Sequence, residues 1–247
     1  MLTEERFGVI LSILESRGSV TVTELMKELR SSESTVRRDL NTLDEEGLLT
    51  KVRGGAISKR PFSTRDDEVK LRRERNTDEK LTIGKYAASL IRKNDFVYVD
   101  AGTSTDLMLD YVTEREAVYV TNAVSHAMKL AGLGCTVFLL GGEFKHTTEA
   151  IVGEEAIVSL EKYNFTKGFF GANGITKKNG FTTPEVKEAM VKRKAMESCK
   201  SCYVLADESK FGEISAISFG DLEDATIITN KIPKGFLQVK NIKEVDE

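Results

Sequence analysis

The sequence contains no tryptophan, only three cysteines and only two histidines in 247 residues. An odd number of cysteines in a chain of this length argues against a framework of disulfide bonds. Cys199 and Cys202 have the C-x-x-C spacing of redox and metal sites, but no second cysteine pair exists to complete a metal site. We therefore favour a structural role for both residues, and we predict neither a metal nor a cofactor.

Long apolar runs are missing as well. Nowhere do about 18 apolar residues follow one another, as a membrane-spanning helix requires. The first residues include Glu4 and Glu5, and they lack the apolar stretch of a signal peptide. We expect a cytoplasmic protein that has no membrane partner.

A strong charge of one sign is also absent, since the net charge is −3. The first 80 residues carry equal numbers of acidic and basic residues. Within them, however, residues 48–60 include Lys51, Arg53, Lys59 and Arg60 and no acid. A local basic surface of this kind is compatible with nucleic-acid binding. The length favours one small and one medium-sized domain.

Three helices are predicted near the N-terminus. The first ends near Gly18, where glycine can adopt the left-handed conformation. The second starts at Thr21, whose T-x-x-E spacing with Glu24 is that of a capping box. The third follows a three-residue connection and has Ser32 as its cap. Its buried stripe consists of Val36, Leu40 and Leu43. Three helices with a tight turn between the last two are typical of a helix-turn-helix.

The opposite face of the third helix carries residue types that bind DNA. At about 100° per residue, this face presents Ser34, Arg38 and Asn41, flanked by Thr35 and Arg37. In a major groove, arginine suits guanine, and hydroxyls suit phosphates or base edges. The helix N-terminus also favours an anion. A solvated polar face would show the same spacing, so the segment that follows decides between them.

The pattern of residues 48–57 predicts two short strands joined by a turn at Gly54-Gly55, with Arg53 at the tip. A hairpin beside a recognition helix can contact the adjacent DNA backbone or minor groove. We predict that residues 1–58 form a winged helix-turn-helix domain that binds double-stranded operator DNA. The predicted contacts are Thr21, Ser32, Ser34, Thr35, Arg37, Arg38, Asn41, Lys51, Arg53 and Gly54.

Several motifs run through this domain, and together they are specific. They are Glu24-Leu25, Ser34-Thr35-Val36-Arg37-Arg38-Asp39-Leu40, Leu43, Gly47-Leu48-Leu49 and Arg53-Gly54-Gly55-Ala56. The set resembles the DeoR family of bacterial repressors, and the resemblance implies a transcriptional repressor. A homo-oligomer is expected, because one short recognition helix gives limited affinity and a duplex offers repeated half-sites.

Residues 59–80 are predicted to be a charged, solvent-exposed linker. Pro61 is followed by a charge-dense stretch with few apolar residues beyond Val69 and Leu71. Such a segment would connect two domains that fold separately.

Residues 81–247 are predicted to form an α/β domain. Helical patterns alternate there with β-rich runs, which is typical of a mostly parallel sheet covered by helices. The runs are residues 96–100, 117–121, 135–140, 167–170, 202–206 and 226–229. Ligands of such sheets bind at the carboxyl ends of the strands.

The loop at residues 100–105 follows the first run and precedes a helix. Gly102 would let the backbone approach an anion, and Thr103, Ser104 and Thr105 add hydroxyl donors. Glycines also mark the ends of other strands, although those glycines can serve turns alone. Neither G-x-G-x-x-G nor G-x-x-x-x-G-K-[ST] occurs, so a small phosphate ester is favoured over a dinucleotide or a nucleoside triphosphate.

Further motifs resemble the DeoR sensor domain. They are Asp100-x-Gly102-Thr103-x-Thr105, Thr121-Asn122, Leu140-Gly141-Gly142, Gly171-x-Asn173-Gly174-Ile175, Lys192-Arg193 and Ala206-Asp207-x-Ser209-Lys210-Phe211-Gly212. The resemblance implies a fold related to ribose-5-phosphate isomerase and a sugar-phosphate effector that weakens DNA binding. The effector residues it implies are Asp100, Gly102, Thr103, Ser104, Thr105, Asn122, Gly141, Asn173, Gly174, Lys192 and Lys210. Similarity to repressors of Gram-positive fructose operons favours fructose 1-phosphate, with tagatose 6-phosphate and other phosphorylated hexoses as alternatives.

An isomerase-like enzyme fused to a DNA-binding domain is the alternative interpretation. It would need carboxylates to move a proton at the sugar carbons. Where the isomerase resemblance places two acids, the chain has Phe170 and Asn173, and neither accepts that proton. The remaining candidate bases are Asp100, Glu185 and Asp207. We expect no enzymatic activity and assign no catalytic residue, including His126 and His146.

Overall fold

The computed structural model describes residues 2–58 and 69–246, apart from the side chains at positions 15–17, 70 and 71. The chain divides into two units, Met1–Phe62 and Ser63–Glu247.

Within residues 2–58, three helices pack on a small antiparallel sheet. The helices are α1 (Thr3–Arg17), α2 (Val22–Leu29) and α3 (Glu33–Glu45). The strands are β1 (Ser19–Thr21), β2 (Leu49–Val52) and β3 (Gly55–Ser58), in the order β1-β3-β2. Leu25, Leu40 and Leu49 are fully buried in the core between them. Helices α2 and α3 form the predicted helix-turn-helix, and β2 and β3 form the wing.

The predicted caps start both helices of this motif. The Thr21 hydroxyl accepts the Glu24 N–H at 3.2 Å, and the Glu24 carboxylate accepts the Thr21 N–H at 2.8 Å. The Ser32 hydroxyl accepts the Thr35 N–H at 3.3 Å. Gly18 ends α1 in the left-handed region, with φ of 72°. Local hydrogen bonding therefore fixes the helix boundaries that the sequence predicted.

The second unit alternates strands with helices. Its strands are β4 (Phe96–Val99), β5 (Val118–Thr121), β6 (Thr136–Leu139), β7 (Glu143–Lys145), β8 (Ala150–Val152), β9 (Lys167–Gly171), β10 (Gly174–Thr176), β11 (Gly180–Thr183), β12 (Cys202–Leu205), β13 (Ile217–Gly220), β14 (Thr226–Thr229) and β15 (Ile242–Glu244). Its helices are α4 (Val69–Arg73), α5 (Thr77–Ser89), α6 (Thr103–Met108), α7 (Val124–Gly132), α8 (Glu154–Leu160) and α9 (Val186–Glu197).

Seven of these strands form a parallel sheet in the order β15-β14-β12-β9-β4-β5-β6. Each β-rich run of the sequence contains one of its strands, so the predicted α/β fold is confirmed. From β4 the chain adds β5 and β6 on one side and then returns to place β9 on the other. The strand order thus reverses between β4 and β9, and open parallel sheets bind ligands beyond such a switch point.

Apolar side chains cover both faces of this sheet. Along β4, Val97 and Val99 belong to one core cluster and Tyr98 to the other, because successive side chains of a strand point to opposite faces. Outside the parallel sheet, β10, β11 and β13 form a small antiparallel sheet, and β7 pairs with β8.

The structure corrects the C-terminal part of the predicted linker. Residues 59–68 lie outside the described residues, but residues 69–73 form α4, and α5 already begins at Thr77. The Lys80 side chain is 3% exposed, and its ammonium donates to the carbonyl oxygens of Arg72 and Arg75. A buried ammonium needs such acceptors. The high local charge predicted a solvent-exposed side chain at this position, and that prediction was wrong.

Candidate functional site

Apart from Thr21, which ends β1 and caps α2, the predicted DNA-contact residues lie on or at the start of α3 and on the wing. Ten positions were predicted, and nine are exposed while Thr35 is half-buried. The opposite face of α3 is buried at Val36, Leu40 and Leu43. The amphipathic assignment of α3 is thus confirmed, and contact with DNA stays a prediction.

Three hydroxyls cluster at the start of α3. The Ser32 hydroxyl lies 3.0 Å from that of Ser34 and 2.9 Å from that of Thr35. The first backbone N–H groups and the positive end of the helix dipole lie at the same place. This arrangement suits a DNA phosphate.

The two adjacent arginines of α3 differ in their partners. Arg37 donates to the Glu33 carboxylate, with nitrogen–oxygen distances of 2.8 Å. Among the described residues, the guanidinium of Arg38 has no partner, and the same holds for Arg53 at the wing tip. Arg38 can therefore meet a base edge without first giving up an ion pair.

Hydrogen bonds join the wing to the recognition helix. The Lys51 ammonium donates to the Asn41 side-chain oxygen at 2.5 Å, and the Lys51 N–H donates to Asp44 at 3.1 Å. Gly54 forms the turn with φ of 95°. The other two cations of the acid-free stretch, Lys59 and Arg60, lie outside the described residues.

Asp39 has a structural role that the sequence did not reveal. Its carboxylate pairs with the Arg6 guanidinium through distances of 2.6 Å and 2.9 Å, and the residue is 2% exposed. This bidentate pair holds α1 against α3. The available signal was the position of an acid beside Leu40, on the apolar side of the helix.

A cavity of about 320 Å³ lies beyond the carboxyl ends of β4, β9 and β12. We call it the switch-point cavity. Residues that follow all three strands line it, including Gly102, Gly171 and Asp207. The predicted effector residues that line it are Gly102, Thr103, Ser104, Asn173, Lys192 and Lys210.

Two of the other predicted residues support the loop from behind. The Thr105 hydroxyl donates to the carbonyl oxygens of Asp100 and Gly102 at 2.7 Å and 2.9 Å. The Asn122 side chain accepts the Ala101 N–H at 2.8 Å. Neither residue lines the cavity, because these bonds direct both polar groups into the protein. Both residues fix the loop, and their contact with the ligand stays a prediction.

Two predicted glycines also lie elsewhere. Gly141 follows β6, two strands away from β4, and is exposed. Gly174 is buried in β10, where an added Cβ would lie 2.3 Å from the Glu213 carbonyl oxygen. Gly102 lines the cavity, but its φ of 179° is ordinary extended backbone. Its lack of a Cβ leaves room for the Thr105 hydroxyl, which a Cβ would approach to 3.1 Å.

A buried ion pair lies beside the switch-point cavity, and of its two residues Lys192 lines the cavity whereas Asp100, also a predicted effector residue, does not. Lys192, on α9, contacts the Asp100 carboxylate and also donates to the Gly171 carbonyl at 3.2 Å. The Gly171 N–H donates to the same carboxylate at 3.1 Å. Burial raises the pKa of Asp100, although the charge of Lys192 opposes this shift. The pair joins the ends of β4 and β9 to α9.

Further cations of the cavity come from the segment assigned to the linker. Arg72, Arg75 and Lys80 line it together with Asn76. Burial lowers the pKa of Lys80 to about 8, although the charge of Asp207 opposes the shift. The sequence missed these residues because their spacing forms no local motif. In total, five cationic and three acidic side chains of the described residues line the cavity.

Among these acids, Asp207 offers an unused acceptor. It is 1% exposed, and its Oδ1 accepts from the Asn76 side chain at 2.8 Å and the Ser209 N–H at 3.0 Å. Its Oδ2 has no partner among the described residues. A buried carboxylate oxygen without a donor is unfavourable, so a hydroxyl supplied by a ligand would be stabilised there.

The Glu188 carboxylate is already occupied. It accepts from the Lys145 ammonium at 2.9 Å and from the Thr148 hydroxyl at 2.5 Å. Burial raises its pKa, but the charge of Lys192 and these hydrogen bonds lower the pKa overall. Glu188 therefore stays ionised and lowers the net positive charge of the cavity.

Comparison with known proteins identifies the family. The DeoR-like helix-turn-helix domain matches residues 6–62, and the DeoR C terminal sensor domain matches residues 75–231. The chain belongs to the DeoR family. Its DeoR relatives include the uncharacterized HTH-type transcriptional regulator FruR of Bacillus subtilis (strain 168), which is 44% identical over 93% of this chain and 91% of the relative. The lactose phosphotransferase system repressor of Staphylococcus aureus (strain NCTC 8325 / PS 47) is 33% identical over 92% of each chain.

Solved structures similar to this DeoR protein include ribose 5-phosphate isomerase A from Methanocaldococcus jannaschii. The TM-score is 0.42 at 15% identity, and the match covers 55% of each chain. The DeoR family match identifies the protein as a DNA-binding transcription regulator, and this structural match adds nothing on function.

Two of the three candidate bases of an isomerase are otherwise engaged, and Asp207 is the exception, since its Oδ2 has no partner among the described residues. Phe170 lies in the core, and Asn173, which lines the cavity, has no carboxylate. Asp100 pairs with Lys192, and the Glu185 carboxylate caps α9 by accepting the Glu188 N–H at 2.9 Å. His126 is buried, and desolvation lowers its pKa to about 4.

Two classes of feature are absent from the part of the chain that the structure describes. Its helices are each too short or too polar to cross a membrane. No three His, Cys, Asp or Glu side chains come together there in a way that could hold a metal ion.

Proposed function

We propose that this protein represses a sugar-utilisation operon and is released from its operator by a phosphorylated sugar. It acts as a cytoplasmic homo-oligomer that reads operator DNA with α3 and the wing. The observation that carries the sensor half of the proposal is the excess of cations over acids in the switch-point cavity. Such an excess favours an anionic ligand.

A phosphate fits the side of the cavity where α6 begins. Thr103 and Ser104 offer hydroxyl donors there, and Lys210 and Lys80 line the same space. Hydrogen bonds from charged donors to phosphate are short and strong. The volume of about 320 Å³ is at the lower end of small-molecule sites and suits a single phosphorylated sugar.

The hydrogen-bond acceptors in the cavity support the proposal that the ligand contains a sugar. Asp207 lines the cavity, and its carboxylate can accept hydrogen bonds from the hydroxyl groups of a sugar. Asn173 adds a side-chain amide to the same lining. A ligand that combines a phosphate with hydroxyl groups therefore uses both chemistries of the cavity.

We favour fructose 1-phosphate as the effector, with tagatose 6-phosphate as the main alternative. The support is family resemblance, including a relative named as a repressor of a lactose phosphotransferase system. We propose a sensor without enzymatic activity, because Asp100 is held in an ion pair and Glu185 caps a helix.

Release of a labelled operator fragment tests the proposal. The DNA region that flanks the gene is titrated with the full-length protein, and DNA binding is followed by fluorescence anisotropy. Fructose 1-phosphate, tagatose 6-phosphate, fructose and inorganic phosphate are then added separately. We expect a sugar phosphate to release DNA at far lower concentration than the other two. Release by unphosphorylated fructose, or turnover of ribose 5-phosphate above background, would overturn the sensor assignment.

Lys210 gives a matched test of the cavity. Lys210→Gln removes one cavity cation, whereas Lys234→Gln removes a cation that does not line the cavity. Both variants should bind the operator normally, and only the first should need more effector for release. Sedimentation of the same samples reports the number of subunits.

A further inference from the structure

The two cysteines with C-x-x-C spacing lie on one surface cleft outside the switch-point cavity. Cys199 follows α9, and Cys202 begins β12. Both line a cleft of about 420 Å³, which we call the thiol cleft. Charged side chains of both signs line it as well, namely Arg193, Lys200, Glu197, Asp221 and Asp224. A small molecule that enters this cleft therefore meets both cysteines.

The sulfur atoms meet at the last turn of α9. The Cys199 thiol donates to the Ala195 carbonyl at 3.1 Å, and the Cys202 thiol is 3.5 Å from the Met196 carbonyl. Since carbonyl groups of successive residues in one helical turn hold the two sulfurs, the two thiols are neighbours. A Cβ at Gly168 would lie 2.5 Å from the Cys199 sulfur, so this glycine in β9 makes the space that Cys199 occupies.

The electrostatic environment distinguishes the two thiols. The neighbouring Cys199 lowers the pKa of Cys202, although burial and the charge of Asp224 oppose that shift. Conversely, the neighbouring Cys202 and burial raise the pKa of Cys199. Since the thiolate is the reactive form, the lower pKa favours Cys202 as the nucleophile, and this residue lines the cleft although it is only 8% exposed.

The third cysteine supplies an internal comparison. Cys135 is buried in a different core cluster, and its sulfur lies 4.0 Å from the Glu114 carbonyl. It is as buried as Cys202, each being 8% exposed, and burial raises its pKa, so its ionisation is unfavourable. The chain thus contains two neighbouring thiols that line a cleft and a third thiol in another core cluster.

We propose that Cys199 and Cys202 are a dithiol oxidation site, which a small organic disulfide converts into an intrachain disulfide bond. The Cys202 thiolate attacks one sulfur of the oxidant, and the other oxidant sulfur leaves as a thiolate. Cys199 then loses its proton and attacks the Cys202 sulfur, which forms the Cys199–Cys202 bond and expels the second thiolate. The cysteines lose two electrons and two protons, and the oxidant becomes two thiols.

Thiol counting on the folded, full-length protein tests this inference. Reduced protein is incubated with glutathione disulfide, and the remaining thiols are alkylated after denaturation and counted by mass spectrometry. We expect the three alkylatable thiols to fall to one, at Cys135, with a disulfide within the peptide that spans residues 199–202. Three surviving thiols, equal modification of Cys135, or a disulfide between chains would each overturn the inference.

Single substitutions separate the two chemical steps. Cys199→Ser removes the second thiol, so a glutathione adduct should accumulate on Cys202. Cys135→Ser is the matched control, in which the pair should oxidise as in the unmodified protein. Absence of the adduct in Cys199→Ser, in a sample whose circular dichroism matches the unmodified protein, would contradict the assigned nucleophile. The thiol count of the unmodified protein does not depend on either variant.

Discussion

Arg38 and Arg37 are neighbours with different freedom to bind DNA, since Arg37 is paired with Glu33 and Arg38 has no partner among the described residues. We expect Arg38→Ala to lose about 1–3 kcal/mol of discrimination between operator and scrambled DNA. Arg37→Ala should weaken both DNAs by similar factors, as expected for a phosphate contact. Anisotropy titrations with both DNAs measure this difference. An Arg38→Ala variant that keeps its operator preference would place the recognition face elsewhere.

We expect Lys80 to make the proposed effector binding depend on pH. Burial lowers the pKa of this lysine from 10.5 to about 8, so it loses its charge as the pH rises through 8. A bound phosphate favours the charged form, and the phosphate itself is already a dianion above its second pKa of about 6. The affinity for fructose 1-phosphate should therefore change little between pH 7 and 8. Above pH 8 it should fall by up to about tenfold for each pH unit.

Isothermal titration across this pH range measures the fall, and buffers of different ionisation enthalpy report the proton taken up. Lys80→Arg is the matched control, because arginine stays charged throughout. Its affinity should be nearly independent of pH. The same decline in Lys80→Arg would assign the titration to another group.

At the scale of secondary-structure elements, local sequence signals predicted the helix starts well. Pairing between residues far apart in the sequence could not be predicted. The capping box at Thr21 and the cap at Ser32 involve residues three positions apart, so the sequence alone located α2 and α3. Strand β1 is three residues long and exists because it pairs with β3, far along the chain. Helix α4 and the burial of Lys80 were missed for another reason, because the carbonyl partners of Lys80 lie close in the sequence, at Arg72 and Arg75, but no motif marks them.

The pairing of β1 with β3 depends on Gly55. An added Cβ there would lie 2.2 Å from the Val20 carbonyl oxygen and 2.9 Å from the Thr21 Cα. Gly55→Ala should force these strands apart and lower the free energy of unfolding by about 1–3 kcal/mol, as overpacking does. Gly8→Ala, in α1, meets no atom within 4 Å and should stabilise the same unit by about 0.5–1 kcal/mol.

Urea denaturation followed by circular dichroism measures both changes, and DNA titration shows whether the wing is affected. We expect Gly55→Ala to lower the free energy of unfolding and Gly8→Ala to raise it. A Gly55→Ala variant as stable as the unmodified protein would show that the sheet tolerates the shift.

At the scale of the whole molecule, the sequence predicted the location of the cavity better than its lining. Alternating strands and helices imply a parallel sheet, and such a sheet binds ligands at its carboxyl edge. Residues that follow the strands, such as Thr103 and Asn173, could therefore be named in advance. Arg72 and Arg75 could not be named in advance. Helix α4 and the residues that follow it reach the cavity through packing, and no sequence motif predicts that packing. Asn122 stands out in the sequence because it follows β5, but it does not line the cavity. Its side chain instead accepts the Ala101 N–H of the loop.

The proposed coupling between effector and operator has a thermodynamic consequence. If fructose 1-phosphate lowers operator affinity by some factor, the operator must lower fructose 1-phosphate affinity by the same factor. Couplings of this kind are about 5–150-fold. We expect operator titrations at saturating effector and effector titrations at saturating operator to give equal factors. Release of DNA without any change in effector affinity would rule out this linkage.

Thr103 separates the sensor from the DNA reader in that experiment. Its side chain lines the switch-point cavity and has no hydrogen-bond partner among the described residues. Thr103→Ala should leave operator affinity unchanged and weaken effector binding by about 1.5–3 kcal/mol, the worth of a hydrogen bond to a charged group. DNA would then no longer be released at effector concentrations that release the unmodified protein. Thr105→Ala is a useful contrast, because that hydroxyl holds the loop and its loss should also lower stability. A normal response from Thr103→Ala would move the phosphate away from this loop.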